Sequence, residues 1–339
     1  MNLKLVANKA GVSEATASRV FNQPDLVDPR KVDAVKAAAS ELRYEPKKGS
    51  SAQRKRRQEK PLKRIGVWII GASSSRAAQN LQEQLYLLQK CLESEGAEAL
   101  VVFSKDQSEV PSLLSNGNLD GLLLQGYAPD ESISKHIEGL PCVWLMTRRE
   151  FNCKFDSVEP DNEANGRIAA QWFAQKGLKR VAVVNAWPRH PAFSARTQFF
   201  SNEAQIRSLE LSKLEAGDWG KESFLEESPG DESVRKLVEL YLAMQNVENI
   251  QGIYFPDDII YSSFIRHLRN ANIDVERLSC ILGDHHPDLI EHLDPRPACL
   301  DINLPSIIKQ AISRLSTLGQ EPSSNVERLR ILVPPILNH

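Results

Sequence analysis

Residues 3–22 read LKLVANKAGVSEATASRVFN, and this stretch decides how the chain begins. Leu3 to Ala10 predicts a short helix, and Gly11-Val12-Ser13 breaks it. A turn with Gly at that point, and the small Ala10 ahead of it, lets two helices cross at a steep angle. Ser13 then caps a second helix, EATASRVFN, whose Ala17, Val20 and Phe21 fall on one face at helical spacing. Further along, Asp28 caps a third helix with Pro29 at its first position, where the missing N–H costs nothing. On that helix Val32, Val35, Ala39 and Leu42 make the apolar stripe that closes a small core. The prediction is a compact all-α helix-turn-helix head over residues 1–46.

The second helix sets what such a head can do. Glu14, Ala15, Thr16 and Arg19 point outward from a helix N-terminus, a geometry suited to phosphate and base-edge contacts. Arg19 carries the paired donors that match the O6 and N7 of guanine in the major groove. The alternative is an ordinary three-helix surface on which Arg19 is merely solvated. The agreement of cap, turn and core pattern favours the groove reader.

Ala7, Ala10-Gly11-Val12-Ser13, Thr16, Ser18-Arg19-Val20, Asn22, Val27, Val35, Ala38, Glu41-Leu42, Tyr44 and Pro46 stand at the spacing AxxAGVSxxTxSRVxNxxxxVxxxxxxxVxxAxxELxYxP. In this pattern the head resembles the lac and gal repressor family of bacterial transcription regulators. Ala17 departs from the family's Val, a change of volume and not of polarity. The resemblance implies a regulator, most simply a repressor, that binds palindromic double-stranded operator DNA as a homodimer. It assigns DNA contact to Ser13, Glu14, Ala15, Thr16, Ser18, Arg19, Asn22, Tyr44, Lys47 and Lys48.

Charge agrees with a head on a body. Residues 1–64 hold 16 Lys and Arg against 7 Asp and Glu, while the whole chain of 339 residues carries a net −2. The remainder is therefore acidic, as in a nucleic-acid-binding arm on an acidic body. Between them KKGSSAQRKRRQEKPLKR, residues 47–64, is basic and without periodicity, so residues 47–63 read as a linker. In the family this stretch is a short hinge helix that wedges a leucine into the minor groove. The matching position here is Gln53, and Gly49-Ser50-Ser51 weakens a helix. Arg54, Lys55, Arg56 and Arg57 then hold phosphates, probe a narrow minor groove, or remain a solvated spacer.

From Arg64 onward the pattern alternates strand and helix. IGVWII (65–70), ALVVF (99–103), DGLLLQ (120–125) and PCVWLM (141–146) suit buried parallel strands. Leu81, Leu85, Leu88 and Leu92 between the first two predict a crossover helix. A second series runs through DSVEPD (156–161), a helix over 165–176, RVAVVN (180–185), LELSKLE (209–215), GIYFP (252–256) and LSCILG (278–283). Two such series predict an α/β body, residues 64–339, of two parallel-sheet subdomains like the type I periplasmic-binding-protein fold. The expected division is about 64–156 plus 287–318 for the first subdomain and about 157–286 plus 319–339 for the second.

The resemblance continues through this body. Asp161-Asn162 to Gly166 and Gly177-Leu178-Lys179-Arg180 are similar to the family's DNxxxG and GHxxI. SARTQFF (194–200) is similar to its RxxGF, Pro256-Asp257 to its Asn-Asp pair, and Gly283-Asp284-His285-His286 to its Gly-Phe-Asp-Asp. ILVPPIL (331–337) is similar to its closing strand. The resemblance implies a small effector, most simply a carbohydrate, in the cleft, held by Ser73, Arg196, Trp219, Asp257 and His285. Arg196 offers paired donors and Trp219 a flat apolar face for a sugar ring. The alternatives are a surface salt bridge for Arg196, a packed aromatic for Trp219 and a solvated turn for the His pair. Pro256 and His285 replace family acceptors, which points away from the usual hexose and toward an acidic sugar, or toward a pocket that no longer senses.

Other classes are set aside on composition. Cys91, Cys142, Cys153, Cys280 and Cys299 show no CxxC or Cys/His metal spacing, and no cofactor is implied. No N-terminal apolar segment or membrane-length run is present, so the expectation is a cytoplasmic protein with no membrane partner. A periplasmic solute-binding module has no use for the head. An enzyme would need a phosphate-binding Gly loop, a nucleophile elbow or a paired-carboxylate spacing, and none is evident.

Overall fold

The structure, a computed structural model, describes residues 3–14, 16–17, 20, 28–42, 44, 62–71, 81–115, 118–147, 155–216, 231–244, 249–286, 290, 292–319 and 328–338. They form two compact units, 1–60 and 61–339.

In the first unit α1 (Leu3–Lys9) ends at Gly11, whose φ of +66° is a left-handed turn that Gly adopts without steric cost. Residues 14, 16, 17 and 20 are helical again. The next helix, α2 (Pro29–Glu41), starts as expected: Asp28 accepts the Arg30 N–H and Pro29 opens the first turn. Val6, Ala7, Ala17, Val20, Val32, Val35, Ala38 and Ala39 bury one another, with Ala10, Val12, Leu42 and Tyr44 packed against them. Phe21, expected in this core, lies outside the described residues.

The second unit holds two six-stranded sheets. One runs β11-β5-β4-β3-β1-β2, from β1 (Arg64–Ile70), β2 (Glu98–Ser104), β3 (Gly121–Gly126), β4 (Cys142–Leu145), β5 (Asp156–Pro160) and β11 (Arg330–Val333). The other runs β12-β10-β9-β8-β6-β7, from β6 (Arg180–Asn185), β7 (Glu210–Glu215), β8 (Gly252–Phe255), β9 (Ser279–Leu282), β10 (Ala298–Asp301) and β12 (Ile336–Asn338). Adjacent strands pair in parallel except β10 with β12. The helices between them are α3 (Gln82–Ser94), α4 (Ser112–Ser115), α5 (Glu131–Ile137), α6 (Asn162–Gln175), α7 (Pro191–Ile206), α8 (Asp231–Leu242), α9 (Tyr261–Asn270) and α10 (Leu304–Leu318). Leu88 and Leu92 of α3 are fully buried, as their spacing predicts.

Three segments change sheets, and here the expected division is corrected. DSVEP lies between β4 and β11 in the first sheet instead of opening the second, and it is buried on both faces there. Residues 298–301, expected in the first subdomain, form β10 of the second sheet, although α10 just after them packs on the first. The closing ILVPPIL is two strands: 330–333 pair with β5, and 336–338 with β10. Pro334 and Pro335 have no N–H to give a ladder, so one strand cannot continue through them.

The first lobe's core joins Ile65, Val67, Leu88 and Val158 to Ile307, Ile308, Ala311 and Leu315 of α10 and to Val333. Beside it Arg314 pairs with Asp156, both buried, and Asp156 also accepts the Leu329 N–H. In the second lobe α6 and α7 are pressed together at Gly166. A Cβ there would lie 2.2 Å from the Arg196 carbonyl oxygen and 2.6 Å from the Phe200 nitrogen.

Candidate functional site

The head's working surface is built by the turn. Ser13 accepts the Thr16 N–H at 3.1 Å, and its hydroxyl meets that of Thr16 at 2.8 Å, so the helix start is capped as the sequence predicts. Ser13 and Glu14 are exposed, and Thr16 and Tyr44 are half-buried. Ala15, Ser18, Arg19, Asn22, Lys47, Lys48, Gln53, Arg54 and Arg56 lie outside the described residues.

In the body, sheets of this kind bind ligands beyond the C-terminal ends of their strands. There the second lobe gathers polar side chains that burial would not tolerate without partners. Arg196, 2% exposed, donates from Nε to Asn162 Oδ1 at 2.8 Å and from Nη1 to the Pro256 carbonyl at 2.7 Å. Its Nη1 also stands 4.0 Å from Asp284 Oδ2. Arg196 is thus neither a surface salt bridge nor a free donor. Its Nη1 lies between the ends of β8 and β9, and its Nε holds the start of α6.

Asp257, 1% exposed, uses Oδ1 to accept the N–H groups of Ile259 and Ile260 at 3.0 and 3.4 Å, while its Oδ2 has no partner among the described residues. Burial, helped by the neighbouring Asp258 charge, pushes its carboxyl up to about 7. Burial likewise raises Asp284. Asp258 accepts both the backbone N–H and Nδ1 of His286, at 2.9 and 2.7 Å. Burial works against a charge on His286, but the Asp258 contact outweighs it. Asp284 and Glu83 add to it, and the imidazole is pushed up to about 10.

His285 takes a different course, its Nδ1 3.9 Å from Asp301, so the two adjacent rings diverge. Among the described residues no group of three or more His, Cys, Asp or Glu is placed to hold a metal ion.

The structure therefore brings Arg196 and Asp257 together, with His285 turned toward Asp301; Ser73 and Trp219 lie outside the described residues. It adds Asp258, His286 and Asn162, which sequence reasoning passed over as effector residues. The signal for the first two was available: adjacent carboxylates at 257–258 and adjacent imidazoles at 285–286 follow successive strands of one sheet. Among the described residues the wall carries Asp257, Asp258, Asp284 and Asp301 beside Arg196 and His286, and no cationic excess of the kind an acidic sugar would need.

A groove-reading head joined in sequence to a two-lobed body of this kind defines a transcription regulator of one chain. Residues 2–47 match the family model for bacterial regulatory proteins, lacI family. The HTH-type transcriptional regulator CelR of Thermobifida fusca is 23% identical over 302 residues, 86% of this chain and 84% of that protein. The ribose operon repressor of Lactococcus lactis is 25% identical over 288 residues, 83% of this chain and 80% of its own length. Solved structures share the fold. The CelR–cellobiose complex has a TM-score of 0.59 at 19% identity, over 99% of this chain and 98% of its own. The lac repressor dimer bound to operator and the anti-inducer ONPF has a TM-score of 0.62 at 18% identity, over 100% and 98%. No helix among the described residues is long and apolar enough to cross a membrane.

Proposed function

We propose that the chain is a repressor, acting as a homodimer on palindromic operator DNA in the bacterial cytoplasm, and not an enzyme. Residues 1–46 read the operator, 47–63 connect, and a small effector in the crevice of 64–339 sets the affinity. The observation that carries this reading is the capped turn at Gly11–Thr16, which presents a helix N-terminus from a closed three-helix core. Arg19 is the base-reading side chain, flanked by Ser13, Thr16, Ser18 and Asn22.

For the effector, the reading is a neutral, hydroxyl-rich molecule. Asp257 Oδ2, without a partner among the described residues, is a hydrogen-bonding position that a ligand hydroxyl can fill. Relatives named for ribose and solved with cellobiose support a carbohydrate. The test selects binding duplexes from a random pool with the full chain, then titrates the enriched duplex with cellobiose, ribose and glucuronate. The reading expects a palindromic consensus and a change in affinity with a neutral sugar. Binding without sequence preference would overturn the repressor; a response to glucuronate alone would overturn the effector class.

A further inference from the structure

We propose that Asn162 is a positioning residue that ties Arg196 to the lobe into which the linker runs, so that occupancy of the crevice is felt by the lobe that carries the head. This rests on the regulator reading above.

Asn162 is the first residue of α6 and is 6% exposed. Its helix belongs mechanically to the second lobe. Asn165, one turn on, donates to the Gly283 carbonyl at 2.8 Å and accepts from the Tyr254 hydroxyl at 2.7 Å, which fixes α6 to the ends of β8 and β9. The close approach at Gly166 fixes it to α7, the helix that carries Arg196.

The carboxamide of Asn162 has its two ends in different hands. Its Oδ1 accepts from Arg196 Nε at 2.8 Å, and its Nδ2 donates to Thr147 Oγ1 at 2.9 Å. Thr147 belongs to the first lobe: it follows β4 and Met146, whose N–H bonds the Val158 carbonyl of β5 at 3.0 Å. Met146 itself is held at a left-handed φ of 69°. From β4 the ladder runs through β3 to β1, which begins at Arg64 where the linker ends.

A carboxamide is planar and rigid, so its two ends move together. Whatever draws the Arg196 guanidinium toward a ligand draws Oδ1 with it and changes the hold of Nδ2 on Thr147. Both partners are buried or half-buried, so neither bond is replaced by water at no cost. The coupling is a short chain of hydrogen bonds, Arg196 to Asn162 to Thr147, that runs from one lobe to the other.

The experiment places spin labels at positions 94 and 239, exposed sites on α3 and α8 in opposite lobes, and reads the inter-lobe distance distribution of the full chain. Thr147→Val removes the first-lobe acceptor and leaves the Arg196–Asn162 bond; Thr147→Ser keeps the hydroxyl; Asn162→Ala removes both bonds. The proposal expects a shifted or broadened distribution for Thr147→Val and Asn162→Ala, and the wild-type distribution for Thr147→Ser. It is overturned if Thr147→Val matches the wild type, or if Thr147→Ser disturbs the distances as much as Val does. Thermal midpoints of the same samples identify any variant that has lost its fold, and Thr147→Val at a half-buried site keeps the test open should Asn162→Ala fail. The readout needs no DNA, so shifted distances in a chain that binds no duplex would sink the regulator reading and leave the Asn162 link standing.

Discussion

Gly166→Ala adds one methyl group at the tightest helix contact of the second lobe. An Ala at an ordinary helical position gains about 1 kcal/mol over Gly from the backbone alone. Against that, the new Cβ would sit 2.2 Å from the Arg196 carbonyl oxygen and 2.6 Å from the Phe200 nitrogen. Both are backbone atoms of α7, so no side chain can swing aside and the two helices must separate. Inserting atoms into a packed interior costs about 1–3 kcal/mol, occasionally more, and a backbone–backbone clash belongs at or above the top of that range. The net expectation is a loss of about 2 kcal/mol, or a thermal midpoint lower by about 4–8 °C. Urea unfolding followed by circular dichroism, paired with a thermal scan, measures it. A midpoint equal to or above the wild type would mean that helix propensity won and that α6 and α7 are not in backbone contact.

Arg19→Ala should weaken binding to the selected duplex by roughly 1–3 kcal/mol while leaving random DNA nearly unchanged; equal losses on both would reduce Arg19 to a phosphate contact. Asp156→Ala removes the Asp156 carboxylate from the buried Arg314 and the acceptor from the Leu329 N–H, and should cost about 3–5 kcal/mol in urea unfolding. A value under about 1 kcal/mol would show the pair to be dispensable. His286, pushed up from 6.5 to about 10, binds more protons folded than unfolded between those values. Its contribution is full below pH 6.5 and is lost as the pH rises toward 10, so the stability gap between wild type and His286→Gln should shrink over that window. A gap that stays constant with pH would break the His286–Asp258 assignment.

The head was legible because its signals are local: Ser13, Gly11, Asp28 and Pro29 each act on residues within one turn. The strands were legible as apolar runs, but which sheet each joined was not. DSVEP carries two carboxylates, and the charges that meet them inside the first sheet include Arg314 and Arg330, more than 150 residues away. ACLD is four residues among prolines, too short for any period to show. In the crevice Arg196 and Asp257 were found through resemblance. What they do there was hidden, since the partners of Arg196 come from α6, β8 and β9, and no spacing links those segments. His286 was missed for the opposite reason: it sits beside His285, and only the backbone path decides which imidazole meets Asp258.

The distribution of α10 and β11 bears on how the chain is made. The first lobe begins with Ile65 and Val67, yet the same core includes Ile312, Leu315 and Val333. A ribosome adding about 5–20 residues per second emits the second lobe's strands β6 to β10 before that core can close, a delay on the order of tens of seconds. Contacts so distant in sequence also slow the search itself. During that interval β1, β3 and β4 lack the apolar face of α10, while the second lobe has most of its own core already emerged. The nascent first lobe is therefore the place where a trigger-type holdase, or a neighbouring nascent chain, would find exposed hydrophobic strand.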